Sequence, residues 1–263
     1  MFNVLKRNLR SGSQTFGLWI TIPHGDVSEC LSQVPYDWFV FDQEHSPLDD
    51  QLSQQLIQSM GVTGVTPLIR VAANDPVLIK KALDTGAHGI VVPYVNTRED
   101  AERAVSACLY PPRGIRGCGP RRGKIVDPDY LLTANDEMFV MVQIETAEAV
   151  ENVEAILSVE GVDAYFVGPY DLSASMGVMG ELSSPQVQEA IGSVFAVGQR
   201  LGCPGGLWMG AGLPLEERVR EGWQFLSLGM DIDLLLNAGK TALAAARAAG
   251  KGRDGEHGRR ETT

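Results

Sequence analysis

Residues 138–167 read MFVMVQIETAEAVENVEAILSVEGVDAYFV, and this stretch decides between the possible fold classes. Apolar runs at 138–144 and 163–167 enclose a segment at 146–159 whose apolar residues recur at helical spacing. Strands that are apolar on both faces are typical of parallel sheets covered by helices. The stretch therefore predicts a strand, a helix and a second strand that lies parallel to the first.

The same alternation extends in both directions from this unit. Further strands are predicted at 16–23, 37–42, 66–71, 89–95, 205–209 and 225–228. Helices are predicted at 27–34, 49–60, 75–84, 97–109, 184–202, 215–222 and 231–249. Eight strand–helix alternations favour one α/β domain over residues 1–250, a (β/α)₈ barrel (TIM barrel). If either of the last two strands were wrong, an open doubly wound sheet would be the alternative.

Two stretches interrupt this rhythm. Residues 110–135 are rich in proline and glycine, and a connection of that length inside a barrel indicates a functional loop. Residues 251–263 (KGRDGEHGRRETT) contain no large apolar side chain, which predicts a disordered polar tail.

Composition excludes several classes of protein. The chain has 263 residues with 22 Lys and Arg against 33 Asp and Glu, a net charge of −11, which argues against nucleic acid or anionic membrane as a partner. No apolar run reaches the roughly 18 residues of a membrane helix, and no secretory signal is visible. Four cysteines without close spacing indicate unpaired thiols in the cytoplasm. Cys118, in a loop rich in Gly and Arg, is a less favoured candidate for a catalytic thiol.

Polar side chains follow four of the predicted strands, at the end of the barrel where active sites lie. These strand-end residues are Asp42, Gln43, Glu44, His45, Arg70, Gln143, Glu145, Gly168, Tyr170 and Asp171. Each carboxylate taken alone is also explained as the cap of the next helix. Their joint occurrence at one rim favours a functional site.

The residue types at this rim narrow the chemistry. Carboxylates without a neighbouring cysteine or second histidine favour Mg²⁺ or Mn²⁺ and leave coordination positions open for a 2-oxo acid. Arg70 would bind a carboxylate or oxo group, and His45 would move protons. A cation that polarises the carbonyl would stabilise an enolate, so that a carbon–carbon bond forms or breaks. A Schiff-base route lacks a lysine at a strand end.

The motifs also resemble the HpcH/HpaI aldolase family, in order and over about residues 12–250. The motifs that carry the resemblance are GLW at 17–19, YDWFVFDQEHSP at 36–47, LIKKALDTGA at 78–87, YPPRGIRG at 110–117, QIET at 143–146, EGVD at 160–163 and GPYDLSASMG at 168–177. The resemblance implies a class II aldolase that cleaves a 4-hydroxy-2-oxo acid to pyruvate and an aldehyde. It further implies a divalent metal (Mg²⁺, Mn²⁺ or Co²⁺), no organic cofactor, and a hexamer built as a trimer of dimers that exchange the last helix.

The resemblance assigns roles residue by residue. Glu145 and Asp171 would be the metal ligands, and His45 with Asp84 would form an acid–base dyad. Arg70 would hold and polarise the oxo acid and stabilise the enolate. Other expected contributors are Gln143, Gly168 and Asp171 at the pyruvate site, Asp42 and Glu44 beside metal-bound water, and Trp19 at the cavity wall.

This chain departs from the family pattern in three places. Gln43 stands where the family commonly has glycine, and Tyr170 where many members have alanine. The loop at 117–123 differs from that of well-known bacterial members and helps shape the aldehyde pocket in the family. Arg121 and Arg122 in that loop would bind an acidic aldehyde, or are solvated loop charges. Trp208 lies in the seventh strand, whose sequence pattern is weak, and is a further candidate for the pocket wall.

Two other functions stay open. Oxaloacetate decarboxylation would yield the same enolate for carbon–carbon bond formation, as in the fungal macrophomate synthase, which resembles this family. The second is a barrel that binds a 2-oxo acid as a sensor or scaffold without catalysis. It would be favoured if one of the polar strand-end side chains were missing, and none is.

Overall fold

A computed structural model describes residues 2–209 and 214–257, with side chains to residue 249. Eight parallel strands pair in chain order and close into a barrel, because the first strand also pairs with the eighth. The strands are β1 Thr15–Ile20, β2 Trp38–Asp42, β3 Thr66–Arg70, β4 Gly89–Val92, β5 Phe139–Ile144, β6 Ala164–Val167, β7 Gly205–Trp208 and β8 Phe225–Met230. The prediction of a (β/α)₈ barrel is confirmed, including its last two strands.

Helices surround the barrel and connect its strands. They are α1 Val4–Arg10, α2 Gly25–Ser32, α3 Asp50–Ser59, α4 Pro76–Asp84, α5 Arg98–Cys108, α6 Arg121–Val126, α7 Tyr130–Glu137, α8 Ala147–Glu151, α9 Val153–Leu157, α10 Pro169–Ser175, α11 Pro185–Leu201, α12 Leu215–Glu221 and α13 Asp231–His257. Within the described part of the chain, no helix is both long and apolar enough to cross a membrane.

Local sequence signals explain several helix ends. The Asp75 side chain accepts hydrogen bonds from the first amides of α4, and Pro76 occupies its first position. Thr97 begins α5 with a capping box, in which its hydroxyl and Asp100 satisfy each other's backbone amides. The left-handed conformation of Gly202, with φ 66°, ends α11. Such signals depend on few neighbouring residues, which makes them readable in the sequence.

The structure differs from the prediction in several connections. The helix predicted at 146–159 is broken into α8 and α9 at Asn152, whose side-chain amide donates to the carbonyl of Asn96. The segment at 110–135 contains the short helices α6 and α7, and α1 and α10 were not predicted. The last helix is drawn to His257, beyond the predicted end at 249, while residues 258–263 of the predicted tail lie outside the described residues. Disorder of that tail stays a prediction.

The interior of the barrel is filled at its N-terminal end. Trp38 stacks on Phe225 with ring centroids 3.7 Å apart, and a side chain at Gly17 would come within 2.2 Å of the Trp38 carbonyl. Leu5 and Leu9 of α1 pack against the same buried cluster. Because this end is closed by side chains, space for a ligand is left at the C-terminal ends of the strands.

Burial at the N-terminal end also perturbs a histidine. Burial, assisted by the charge of Arg122, lowers the pKa of His88 to about 4 from its ordinary value of 6.5. The unfolded chain therefore binds one more proton than the folded chain between these values. Stability from this group is present above pH 6.5 and is lost as the pH falls toward 4, by up to about 3 kcal/mol.

We therefore expect His88→Gln to lessen the acid destabilisation of the fold. Chemical denaturation at pH 7.5 and pH 4.5 should show a smaller loss of unfolding free energy in the variant than in the parent chain. Equal losses would show that His88 titrates normally in the folded state.

Candidate active site

A cavity of about 470 Å³ opens at the C-terminal end of the barrel. Its wall combines charged side chains with aromatic ones. The charged and polar side chains of the lining are Thr21, Asp42, His45, Ser46, Arg70, Gln143 and Asp171, and Gly168 lies among them. The apolar lining includes Trp19, Pro47, Phe166, Tyr170, Trp208, Met230 and Ile232. Most of the strand-end residues singled out in the sequence thus meet in one cavity of a size suited to small ligands.

Arg70 is the central cation of this cavity. It ends β3 directly opposite Asp42 of β2, and its Nε and Nη2 donate to the two Asp42 carboxylate oxygens at 2.9 and 2.7 Å. Its Nη1 lies 3.0 Å from Glu44 Oε2, and its guanidinium stacks 4.4 Å from the Trp19 ring. Burial opposes the charge, but hydrogen bonds and carboxylates outweigh it and raise the pKa of Arg70. The guanidinium is therefore charged and fixed in orientation.

Asp42 also shapes the loop that follows β2. Its Oδ1 accepts from the backbone amides of Glu44 and His45 at 3.0 and 3.3 Å, and its carbonyl accepts from the Ser46 hydroxyl. The sequence analysis expected Asp42 beside metal-bound water. In the structure its carboxylate links Arg70 to the loop that carries His45, and its place beside metal-bound water stays a prediction.

Glu145 is a buried carboxylate at the end of β5, 1% exposed. Its Oε1 accepts from the Tyr94 amide at 2.7 Å, and its Oε2 accepts from Gln143 Nε2 at 2.6 Å. Burial, reinforced by the charges of Glu44 and Asp171, raises the pKa of Glu145 to about 7. A full negative charge at this position is therefore unfavourable without a cation beside it.

The backbone around Glu145 is shaped for this carboxylate. The strand register places Gly168 next to it, and a Cβ on Gly168 would lie 2.9 Å from Glu145 Oε2, too close for a side chain. Tyr94 has φ 51°, a left-handed conformation that is costly for an aromatic residue, and its amide thereby reaches Glu145. Tyr94 was missed in the sequence analysis, since nothing in the sequence signals this conformation.

The donor set fits a small hard cation. Gln143 Oε1 is buried and has no hydrogen-bond partner among the described residues, and it shares the Gln143 amide that contacts Glu145. Burial raises the pKa of both Glu44 and Glu145, and the negative charge of Asp171 adds to both increases, which a divalent ion would offset. Within residues 2–209 and 214–257, no three His, Cys, Asp or Glu side chains form a closed metal site. Glu145 and Asp171 as a pair of metal ligands therefore stay a prediction.

His45 lies at the rim of the cavity. Its side chain is 57% exposed, and its Nε2 is 3.8 Å from Glu44 Oε2. This position gives the imidazole access both to the cavity and to water, as a proton carrier needs.

Asp84 is not brought to His45 within one chain. It ends α4, which runs back from the rim toward the N-terminal ends of the strands, and its Oδ1 accepts from the buried Arg116 at 2.8 Å. The whole segment at 110–135 lies at that same end, because it connects α5 to the start of β5. Arg121, Arg122 and the exposed Cys118 are therefore remote from the cavity of their own chain.

Asp231 is a second residue that the sequence analysis missed. It is 2% exposed, and its carboxylate accepts from the backbone amides of Thr21, Ile22 and Ile232 and from the Thr21 hydroxyl. These contacts tie the start of α13 to the end of β1 and hold Ile232 at the cavity wall.

Comparison with known proteins agrees with this geometry. Residues 15–238 match the family described as HpcH/HpaI aldolase/citrate lyase. A hydroxypyruvate/pyruvate aldolase of Sagittula stellata is 39% identical over 251 residues, 94% of this chain and 97% of the relative. A 4-hydroxy-2-oxo-heptane-1,7-dioate aldolase of Salmonella paratyphi C is 39% identical over 263 residues, 98% of this chain and 99% of the relative.

A solved structure extends the likeness to three dimensions. The crystal structure of an HpcH/HpaI aldolase/citrate lyase family protein from Burkholderia cenocepacia has a TM-score of 0.89 and 34% identity, over 93% of this chain and 99% of that one. The sequence match, the barrel and the full-length relatives lead to one conclusion: this chain belongs to the HpcH/HpaI aldolase/citrate lyase family of metal-dependent carbon–carbon lyases.

Proposed function

We propose that this protein is a divalent-metal-dependent pyruvate aldolase that cleaves a 4-hydroxy-2-oxo acid to pyruvate and an aldehyde. The observation that carries the proposal is the buried Glu145 carboxylate, which contacts Gln143 of the cavity lining and feels the charges of Glu44, Asp171 and Arg70. The relatives named as pyruvate and hydroxy-oxo-heptanedioate aldolases support the same reaction class.

Glu145 and Asp171 would hold the cation, with Gln143 Oε1 as a further oxygen beside it. Mg²⁺, Mn²⁺ or Co²⁺ would supply an electrophile for the 2-oxo acid. The first turn of α10 has no side-chain cap, so the amides of Tyr170 and Asp171 are available to the pyruvate carboxylate next to Gly168. The low exposure of Glu145 keeps water from competing with these contacts.

Arg70 stabilises the negative charge that develops on the oxo oxygen. A guanidinium has five N–H groups, and the two hydrogen bonds to Asp42 use two of them, while Glu44 Oε2 forms an ion pair with Nη1 at 3.0 Å. The remaining N–H groups of Nη1 and Nη2 are free to donate to the enolate oxygen. The bidentate contact with Asp42 holds them in place before the substrate arrives, which lowers the cost of reorganisation during the reaction.

His45 is proposed to accept the proton of the C4 hydroxyl. In the cleavage direction the C4 hydroxyl loses its proton, directly or through water, to the imidazole as the C3–C4 bond breaks. The electron pair of that bond forms the pyruvate enolate, the hydroxyl oxygen becomes the aldehyde carbonyl, and a proton returned to C3 completes pyruvate. The position of His45 at the rim suits exchange with water in both steps.

The proposal extends to a homo-oligomer, a hexamer that is a trimer of dimers with exchanged last helices. Helix α13 contacts the barrel near its start and exposes Leu234, Leu235, Leu236 and Leu243. A dyad of His45 with Asp84 would need Asp84 from a second copy, because the two lie at opposite ends of one barrel. A solution mass near the 28.4 kDa of one chain would contradict this part. A cytoplasmic location is proposed from the free cysteines.

Exchange of the pyruvate methyl protons with D₂O tests the proposed function without an aldehyde. We expect exchange with Mg²⁺, Mn²⁺ or Co²⁺ and none after treatment with a chelator, because the enolate forms only beside the cation. A sensor protein would bind pyruvate without exchange, and that result would overturn the proposal. Faster consumption of oxaloacetate than of any 4-hydroxy-2-oxo acid would favour the decarboxylase alternative.

A further inference from the structure

Tyr170 differs from the other aromatic residues of the cavity lining. Its side chain forms no ring contact, hydrogen bond or ion pair with any residue that the structure describes, and the residue is 50% exposed. Trp19 instead packs against Phe166 and Trp208, with ring centroids 5.4 and 6.3 Å apart. Single apolar groups are common on protein surfaces. The Tyr170 ring, however, belongs to the lining of a ligand cavity, so a bound ligand can reach it.

Tyr170 also lies next to the groups assigned to pyruvate. It stands in the first turn of α10, between Pro169 and Asp171, and all three residues line the cavity. The backbone amides of this turn are those proposed to bind the pyruvate carboxylate. A side chain that starts from this turn is placed to border the second substrate as it approaches the enolate.

Pyruvate leaves a large part of the cavity open. It would contact Arg70, Gln143 and Asp171, whereas cavities of about 300–1,000 Å³ typically hold drug-sized ligands. The volume of about 470 Å³ therefore has room for a second molecule beside pyruvate. The apolar lining that remains for that molecule consists, besides Tyr170, of Trp19, Pro47, Phe166, Trp208, Met230 and Ile232.

The polar residues of the remaining lining offer few free hydrogen-bond donors. The Thr21 hydroxyl donates to the Asp231 carboxylate at 2.6 Å, and the Ser46 hydroxyl donates to the Asp42 carbonyl. His45 is assigned to the proton of the reacting hydroxyl. A polar substituent on the aldehyde would therefore exchange water for few hydrogen bonds from these residues, whereas an apolar one gains by leaving water.

We propose that the aldehyde used by this enzyme has an aromatic body, which the exposed ring of Tyr170 contacts. Two aromatic rings in contact stabilise a complex beyond the apolar area that they bury. Tyr170 is thereby the residue that determines the preference among aldehydes. This inference rests on the proposed function, because it names the class of the second substrate at the same site.

The test compares benzaldehyde with glycolaldehyde as partners of pyruvate, with Mn²⁺ present. In this addition the enolate carbon of pyruvate bonds to the aldehyde carbon, and the aldehyde oxygen takes up the proton that pyruvate lost, so nothing else is consumed. The quantity compared is the ratio of kcat/KM for benzaldehyde to kcat/KM for glycolaldehyde. The intrinsic reactivities of the two aldehydes cancel when this ratio is compared between variants.

We expect the ratio to fall about tenfold in Tyr170→Ala, which removes the ring, and to stay within about twofold of the parent value in Tyr170→Phe, which keeps the ring and removes the hydroxyl. Because Tyr170 is half exposed, both variants should fold. An unchanged ratio in Tyr170→Ala would overturn the proposal. An equal fall in Tyr170→Phe would also overturn it, because the hydroxyl and not the ring would then determine the preference.

Met179→Ala is the matched control. Met179 is an apolar residue that follows α10, is 84% exposed and is absent from the described lining, so its truncation should leave the ratio unchanged. A fall as large as that of Tyr170→Ala would contradict a specific role of the Tyr170 ring.

The solution mass of Tyr170→Ala separates a contact with the ligand from a contact between copies of the chain. A mass equal to that of the parent protein, together with the lost preference, supports the assignment. A lower mass together with the lost preference would overturn it, because the exposed ring would then belong to an interface.

A second arm uses the parent protein only. The KM for benzaldehyde should be at least about tenfold below the KM for glycolaldehyde, because the transfer of a phenyl ring out of water is favourable. The reverse order would overturn the proposal. Pyruvate proton exchange in the same samples separates the two levels. If exchange occurs, failure concerns the aldehyde assignment, and if exchange is absent, the proposed function itself fails.

Discussion

Glu145→Gln should abolish cation binding in the cavity and lower pyruvate proton exchange by a factor on the order of 10³. The amide retains the shape of the side chain and an oxygen that can accept from the Tyr94 amide. It lacks the negative charge that a divalent cation requires. Because burial makes that charge costly in the absence of a cation, the metal-free variant should be at least as stable as the parent chain.

Calorimetric titration with Mn²⁺ and the exchange assay would measure both effects. Glu148→Gln is the matched control, since Glu148 is an exposed carboxylate in the next helix, α8. It should bind Mn²⁺ and exchange protons like the parent. Undiminished Mn²⁺ binding by Glu145→Gln would show that Glu145 is not a ligand, whatever the effect on turnover.

Arg70→Met should affect activity and stability together. Loss of the guanidinium removes the donors beside the enolate oxygen, which we expect to slow exchange by about 10²–10³-fold. It also leaves the carboxylates of Asp42 and Glu44 buried without the cation that pairs with them, and the side chains of both are less than 10% exposed. Stranding a buried charge in this way typically costs about 3–5 kcal/mol of unfolding free energy.

The two effects can be separated by a second substitution. Adding Asp42→Asn to Arg70→Met should recover part of the stability in urea denaturation, because one stranded charge is gone, while exchange stays slow. Arg113→Met is the control for loss of an ion pair, since Arg113 and Asp136 form an exposed pair at 2.7 Å and its loss should cost at most about 1 kcal/mol. Recovery of activity together with stability would show that Arg70 acts only through the fold.

The fold was predictable because its determinants are local and repeated. Near-continuous apolar runs such as 138–144, followed by capped helices, specify parallel strands with helical connections, and eight repeats suffice to close a barrel. The rim followed from the same reasoning, since all strand ends of a parallel barrel point the same way. Arg70 and Asp171 line one cavity, and Glu145 contacts Gln143 of the same lining.

The presence of family motifs did not predict which residues come into contact within one chain. Asp84 was assigned with His45 because both belong to family motifs, yet α4 returns to the opposite end of the barrel before Asp84 is reached. The segment at 110–135 lies there for the same reason. The direction of a connecting helix, rather than the presence of a motif, decides which rim a residue occupies.

The amino-acid sequence by itself determined the barrel, its strand order and the set of charged groups at one rim, because periodicity and helix caps act between near neighbours. Only the tertiary structure decided how those groups pair. The Asp42 carboxylate pairs with Arg70 and with amides of the His45 loop, Tyr94 adopts a strained backbone conformation whose amide reaches Glu145, and the Trp19 and Trp208 rings meet at the cavity wall. These relations join residues up to 189 positions apart, from Trp19 to Trp208, and depend on packing that no local pattern encodes.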